Sequence, residues 1–289
     1  MGVSAEDVLR LGAVAWLEWR GQHSQVPDLS DAQLMGLNLR GADLHDVDLR
    51  RSNLSETKLV AANLSGACLS NAILDRADLI DANLQSIEAI DFQAKATDFR
   101  RARLCDANLI GSNLTSADLR DADLSGVNAI AIDLTGARLR GANLDRIDFH
   151  RATLSYADLV ATNLAHANLS QAILTETELG AAHLYRANFT QARLNQSHLV
   201  SIYAVLANFD RAYLIRADLS WANLTKTSFV KAILHQTNLT GADLTRANLT
   251  GADLTGADLT GANLGYTDLR GAILTGANVT NTIFTGAIR

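Results

Sequence analysis

From Leu29 to Phe284 an apolar residue recurs at every fifth position, without insertion or deletion. Of these 52 centres, 41 are Leu, six Phe, four Ala and one Val, so the inward-facing set is dominated by one side chain. Two residues before the centre, 32 of the 52 positions are Ala, and the residue between is Asp or Asn in 32. Thr, Ser or Arg often follows the centre, then often Gly. The stretch "TNLTGADLTRANLTGADLTGADLTGANL", residues 237–264, shows the pattern. A period of five fits neither the 3.6 of a helix nor the 2 of a strand. Local alternation resolves the conflict. Ala and the centre, two apart, point inward, and the residue between them points outward. The next repeat would be inside out unless two successive residues face outward, so the chain turns a corner once per repeat. Gly at the last of the five positions suits a turn with φ > 0. The pattern predicts a coil of short strand-like sides, an all-β solenoid.

Deviations from the pattern count the sides. Phe149, Phe189, Phe209 and Phe229 stand at centres separated by multiples of 20, and Ile73, Ile173, Ile233 and Ile273 replace Asp/Asn at such separations. Arg100, Arg120 and Arg140 recur at 20, as do Ile90, Ile110 and Ile130. Twenty residues make four sides, and 52 sides make 13 coils. At about 4.8 Å per coil the stack is roughly 62 Å long. Phe189, Phe209 and Phe229 then form an aromatic ladder inside one face. Where the centre is Ala, the inward residue before it is large: Ile87 with Ala89, Phe92 with Ala94, Val127 with Ala129, Ile202 with Ala204. That exchange conserves core volume. The rival near Phe92 is a local bulge, since "IDF" at 90–92 imitates the motif out of register. The irregular sides near Ala89, Ala129 and Ala204 read either as packing variants or as functional features.

The motif Ala-Asp/Asn-Leu-x-x resembles that of the pentapeptide repeat proteins, bacterial and especially cyanobacterial in type, over about residues 27–289. The resemblance implies a right-handed quadrilateral β-helix of about 13 coils for residues 26–289. Residues 1–25 differ, and "SAEDVLRLGAVAWLEWR" reads as a helical cap. Ser4 with Asp7 makes a capping-box-like start. Val8, Leu9, Leu11, Trp16 and Leu17 contribute to an apolar face at helical spacing. Trp16 and Leu17 are expected to cover the first coil. At the other end "TNTIFTGAIR" stops within a repeat, leaving Ile283, Phe284 and Ile288 on the last coil. Related family members pair through their C-terminal ends, which makes an end-to-end homodimer an expectation here.

Composition narrows the function. With 48% apolar but only 5% aromatic residues, the core is narrow. Two cysteines, Cys68 and Cys105, suggest neither a disulfide framework nor a zinc site. No apolar run is long enough to span a bilayer and no signal-peptide pattern is read, so the expected location is cytoplasmic. Net charge is −6, divided unevenly: residues 1–145 hold 14 basic and 21 acidic residues, residues 146–289 hold 11 and 10. A solid-cored rod without inserted loops offers no convergent pocket. There is no phosphate loop, nucleophile elbow or metal-binding His spacing, so neither catalysis nor a cofactor nor a metal is expected.

Function is then sought in surface columns read every 20 residues. Asp78, Asp98 and Asp118 beside Arg100, Arg120 and Arg140 read as an exposed salt-bridge ladder. A second column holds Arg146, His166, Arg186, Leu206, Lys226, Arg246 and Tyr266, with Tyr185 and Tyr203 on the adjoining face. Such a ridge is either a solvated corner or a site for an acidic protein surface or nucleic acid. Protein is the expected partner, nucleic acid and membrane are not. Ile90, Ile110 and Ile130 form a third column, explained by strand preference or by contact with a partner. The expected function is a non-enzymatic protein-interaction and regulatory scaffold. The alternative, carried by similar family members, is a DNA mimic that inhibits a type II topoisomerase, DNA gyrase. Mimicry needs a continuous uncompensated negative face, whereas the acidic half here is interleaved with Arg.

Overall fold

The structure is a computed structural model that describes residues 4–23 and 25–289. The chain forms two compact units, Met1–Asn143 and Leu144–Arg289. Among the described residues the only regular elements are two short helices, α1 (Ala5–Arg10) and α2 (Ala13–Gln22). No described residue lies in a β-strand. The expected all-β solenoid, a right-handed quadrilateral β-helix, is therefore corrected: there is neither strand nor sheet.

The physical reason is the shortness of each side. Only one residue in five is bridged, at the Asp/Asn position. Asn63 pairs in parallel with Asp43 and with Asn83, and Asn168 with Asp148 and Asn188, always twenty residues apart. Two residues later the chain enters a turn whose second member has φ near +60°, from +53° at Ala96 to +72° at Gly141. Three residues between turns leave no room for a continuous ladder, so a strand never starts. The left-handed position is filled by Arg, Asp, Gln, Tyr and Trp as well as Gly. Turn geometry, not glycine, sets the corner.

Repeats of the consensus type give each backbone amide a partner, as a buried chain demands. Around Leu64, the Leu64 N–H donates to Asn83 O at 2.7 Å and the Gly66 N–H to Gln85 O at 2.9 Å, one coil on. The Ala67 N–H closes the turn onto Leu64 O at 3.0 Å, and the Cys68 N–H reaches back to Val47 O at 3.0 Å. The fifth amide, that of Ser65, donates to Asn63 Oδ1 at 3.3 Å. The Ser65 hydroxyl donates to the same oxygen at 2.9 Å. Thr245 and Thr255 repeat this with Asp243 and Asp253. The consensus Asp/Asn-Leu-Thr/Ser is thus a closed local circuit.

At three sides whose bridged residue is not Asp or Asn, the acceptor comes from the preceding coil. Gln93 is followed by a Lys95 N–H that donates to Asp75 Oδ1 at 2.9 Å. Tyr213 is followed by an Ile215 N–H bound to Asn195 Oδ1 at 3.1 Å, and Ser228 by a Val230 N–H bound to Asp210 Oδ1 at 2.9 Å.

In the second unit Phe189, Phe209 and Phe229 stack inside the core with ring centroids 4.6 and 5.1 Å apart, the expected ladder. In the first unit the parallel bridges Ile73–Gln93 and Gln93–Asn113 keep register through Phe92, and Phe92 and Ala94 are both buried. The large-for-small exchange therefore holds and the local bulge does not. Threonines at Ala positions remain buried because their hydroxyls donate to main-chain carbonyls, as Thr57 does to Leu54 O at 2.6 Å.

The N-terminal segment is two helices rather than one, parted at Gly12 with φ +102°. The Ser4 hydroxyl accepts from the Asp7 N–H at 3.1 Å. Trp16 is buried and its indole N–H donates to Asp43 O at 2.6 Å. Leu17, expected beside it, is instead 59% exposed, because it follows Trp16 by one residue, about 100° around α2, and so turns away from the coil that Trp16 covers. At residues 272–288 the centres lose cover: Leu274 and Phe284 are half-buried and Val279 is exposed, while Ile273, Ile283 and Ile288 stand exposed at the outward, bridged position.

Phe209→Ala removes the middle ring of the ladder and is expected to destabilise the protein by about 3–5 kcal/mol, against less than about 1.5 for Phe209→Leu. Denaturant unfolding measures both, and equal costs would refute a ladder that depends on ring volume.

Candidate binding surfaces

The corner residues of the second unit form the ridge expected from the sequence. Arg146, His166, Arg186, Leu206, Lys226, Arg246 and Tyr266 all have φ between +56° and +61° and all are exposed. The left-handed conformation turns each side chain outward at the corner. Successive members lie on successive coils: the His166 N–H donates to Tyr185 O and the Arg186 N–H to Val205 O. Their chemistry is not uniform. Arg146 is 3.2 Å from the Asp145 carboxylate, which neutralises it in part. Arg186 lies over the Tyr185 ring at 5.3 Å, and Arg246 over Tyr266 at 6.0 Å. His166 meets Tyr185 edge-on at 5.5 Å, and His183 stacks on Tyr203 at 4.9 Å. The result is a cluster of imidazole, phenol and guanidinium groups centred on Tyr185, with Tyr203 40% exposed. Tyr, Trp and Arg of this kind dominate the energetics of protein interfaces.

In the first unit Ile90, Ile110 and Ile130 also stack, the Asp91 and Gly111 N–H groups donating to the Ile110 and Ile130 carbonyls. Ile90 alone is exposed, and Ile110 and Ile130 are half-buried. The Arg column of this unit is locked. Arg100 forks onto Asp98 and Arg120 onto Asp118, each within its own coil, at 2.6–3.1 Å. Arg51 and Arg101 fork onto Asp31 and Asp81 one coil below. By contrast Asp46, Asp91, Asp106 and Asp121 each lie against a glycine twenty residues on, where a Cβ would fall 2.2–2.7 Å from the carboxylate.

The units differ in charge as a result. Met1–Asn143 holds 14 basic and 20 acidic residues, and Leu144–Arg289 holds 11 of each. Neutrality of the second unit hides a segregation. Arg186, Arg193, Arg211, Arg216, Lys226 and Lys231 make no ion pair among the described residues. Arg193, Arg211, Arg216 and Lys231 belong to columns other than the ridge, and the sequence reading passed over them. The available signal was the same period of 20, read at the neighbouring corner.

Among the described residues no group of three or more His, Cys, Asp or Glu is placed to hold a metal ion. Among the described residues no helix is long and apolar enough to cross a membrane. Cys68 and Cys105 are free and half-buried, and burial pushes the Cys105 thiol up.

The family described as pentapeptide repeats matches in eight copies, over residues 28–66, 57–87, 95–129, 132–171, 162–199, 205–230, 232–265 and 252–288. The chain belongs to the pentapeptide repeat family. Among solved structures it is similar to HetL, a pentapeptide repeat protein involved in heterocyst differentiation regulation from the cyanobacterium Nostoc sp. strain PCC 7120. The identity is 26%, 94% of each chain is covered and the TM-score is 0.33. It is similar to Rfr23 from the cyanobacterium Cyanothece 51142 at 37% identity over 37% of this chain and 63% of that one, with a TM-score of 0.20. It is also similar to QnrB1, a plasmid-mediated fluoroquinolone resistance protein, at 19% identity over 68% of this chain and 92% of that one, with a TM-score of 0.24. TM-scores this low support no argument from shape. A comparison with curated proteins returns no match.

The surface carboxylates set a pH dependence. The Arg270 guanidinium beside Asp268 lowers its carboxyl from 3.8 to about 2. A hydrogen bond from Thr260 holds Asp258 below the ordinary range, His235 does so for Asp253, and Arg101 for Asp81. For a carboxyl lowered on folding, the unfolded chain takes up protons first. The stabilisation is full above roughly pH 4 and is lost as pH falls towards about 2. Denaturation midpoints are expected to drop across that window, with a smaller drop in Asp268→Asn, and a flat profile would contradict the assignment.

Proposed function

We propose that the protein is a non-enzymatic interaction and regulatory module that presents side-chain columns to a protein partner. The carrying observation is the cluster of His166 and Arg186 on the ridge of the second unit with His183, Tyr185 and Tyr203 on the adjoining face. These groups make ring contacts with one another, so their rotamers are partly fixed before any partner arrives, which lowers the entropic cost of binding. Family membership supports the same reading.

A DNA mimic acting on a type II topoisomerase is the second reading. It is favoured by Asp46, Asp91, Asp106 and Asp121, corner carboxylates of the first unit that lie against glycine and not against Arg. It is opposed by the Arg–Asp forks at Asp31, Asp81, Asp98 and Asp118.

Affinity capture with the wild-type protein and with a variant carrying Arg186→Glu, Lys226→Glu and Arg246→Glu tests the first reading. A partner retained only by the wild type is expected, and identical capture on both would remove the ridge from consideration. Inhibition of purified gyrase that is lost on Asp46→Asn with Asp106→Asn would decide for mimicry. The uncovered centres Leu274, Val279 and Phe284 further support an end-to-end homodimer. Light scattering is expected to give twice the 31.0 kDa chain mass, and a monomer at high concentration would end that proposal.

A further inference from the structure

The second unit carries a cationic face distinct from the ridge. Arg211 and Lys231 occupy one corner on successive coils, the Arg211 N–H donating to Val230 O at 2.9 Å. Arg193 and Tyr213 are bridged neighbours in the adjoining column, which continues to Ile233. Arg216 stands at the next corner and donates only to Gln236 Oε1, at 2.8 Å. Two shallow grooves run either side of the Arg193–Tyr213 column. One is lined by Gln171, Ile173, Gln191, Arg193, Arg211 and Tyr213. The other includes Asn195, Gln196, Ile215, Arg216, His235 and Gln236.

The acids around this face are already engaged or lie at its margin. Asp253 faces His235 at 2.8 Å. Asp210 accepts from the Ser228 hydroxyl and the Val230 N–H. Glu176 is on the Arg216 corner, two coils earlier. Arg193, Arg211 and Lys231 have no carboxylate partner among the described residues. Four cations without counter-charge over three coils are a binding potential, because a desolvating carboxylate gains a charge-assisted hydrogen bond at each.

We propose that this face docks an extended acidic segment of a partner protein in which carboxylates alternate with aliphatic side chains. The inference rests on the interaction-module reading and names the partner's chemistry. An extended peptide places same-side residues roughly 6.6 Å apart, within reach of Arg and Lys side chains on coils about 4.8 Å apart. Its carboxylates meet Arg193, Arg211, Arg216 and Lys231. Its aliphatic side chains meet Ile173, Tyr213 and Ile215, of which Ile173 and Tyr213 are 37% and 44% exposed. Single-stranded nucleic acid fits less well. Base stacking needs a series of aromatic platforms, and Tyr213 stands alone among branched aliphatic residues.

The test is fluorescence anisotropy with a labelled peptide of alternating Glu and Leu. A Lys/Leu peptide and labelled oligothymidylate serve as comparators. The variants are R193E/R211E/K231E and, on the ridge, R186E/K226E/R246E, each shown to be folded by its unfolding midpoint. The Glu/Leu peptide is expected to bind the wild type and to weaken roughly tenfold or more on the first variant, while the second binds as the wild type does. Equal weakening on both variants, tighter binding of oligothymidylate, or no binding of the Glu/Leu peptide overturns the proposal. If the peptide fails while the ridge variant still loses a captured protein, this inference falls and the module reading stands. Specific peptide binding without any captured protein separates the two in the other direction.

Discussion

In a consensus repeat one amide of the five has no main-chain partner, and the side chain of the bridged Asp or Asn accepts from it. Around Leu64 four amides find carbonyls within the turn or on adjacent coils, and only the Ser65 N–H turns to Asn63 Oδ1. A buried or half-buried amide left without a partner costs on the order of 1–3 kcal/mol. Repeated along the chain, that cost would exceed the whole stability of a typical domain. The Asp/Asn position is therefore structural before it is functional. The same oxygen also takes the hydroxyl of the following Thr or Ser, and often the amide of an Asn one coil on, as Asn83 donates to Asn63 at 2.9 Å.

This circuit decides which positions remain available for recognition. Ala and Leu are committed to the core, and Asp or Asn to the backbone. The two turn residues, and the bridged positions where another residue stands, are what evolution can vary. The two units use that freedom differently. In the first, arginines are consumed by aspartates two residues or twenty residues away. In the second, acids are satisfied by hydroxyls and amides, as Asp243, Asp253 and Asp258 are by Thr245, Thr255 and Thr260. Six of its cations, Arg186, Arg193, Arg211, Arg216, Lys226 and Lys231, are left without a carboxylate among the described residues.

The twenty-residue return, the Phe189–Phe229 ladder and the exchange at Phe92 and Ala94 were legible because each is a spacing or a volume, and both are written directly in residue types. The absence of strands was not legible. Alternation of inward and outward residues is the same for a three-residue side between turns as for the start of a strand, and only the φ of residues such as Arg51 and Ala96 separates them. The break at Gly12 and the exposure of Leu17 were missed because helical spacing describes a face without saying where the helix stops. The ridge from Arg146 to Tyr266 was found by column, but its selective neutralisation at Asp145 and its ring contacts depend on rotamers. The face of Arg193 and Lys231 lay in plain view and was obscured by a net charge near zero.

The replacement acceptors at Asp75, Asn195 and Asp210 have a consequence for folding. In a stretch such as residues 237–264 a slip of five residues changes almost nothing, since each repeat offers the next the same core and the same circuit. A slip near Tyr213 separates the Ile215 amide from Asn195, and one near Gln93 separates the Lys95 amide from Asp75. These irregular pairs act as indexing marks along an otherwise interchangeable chain, so that a sequence built from repetition still has one way to line up with itself.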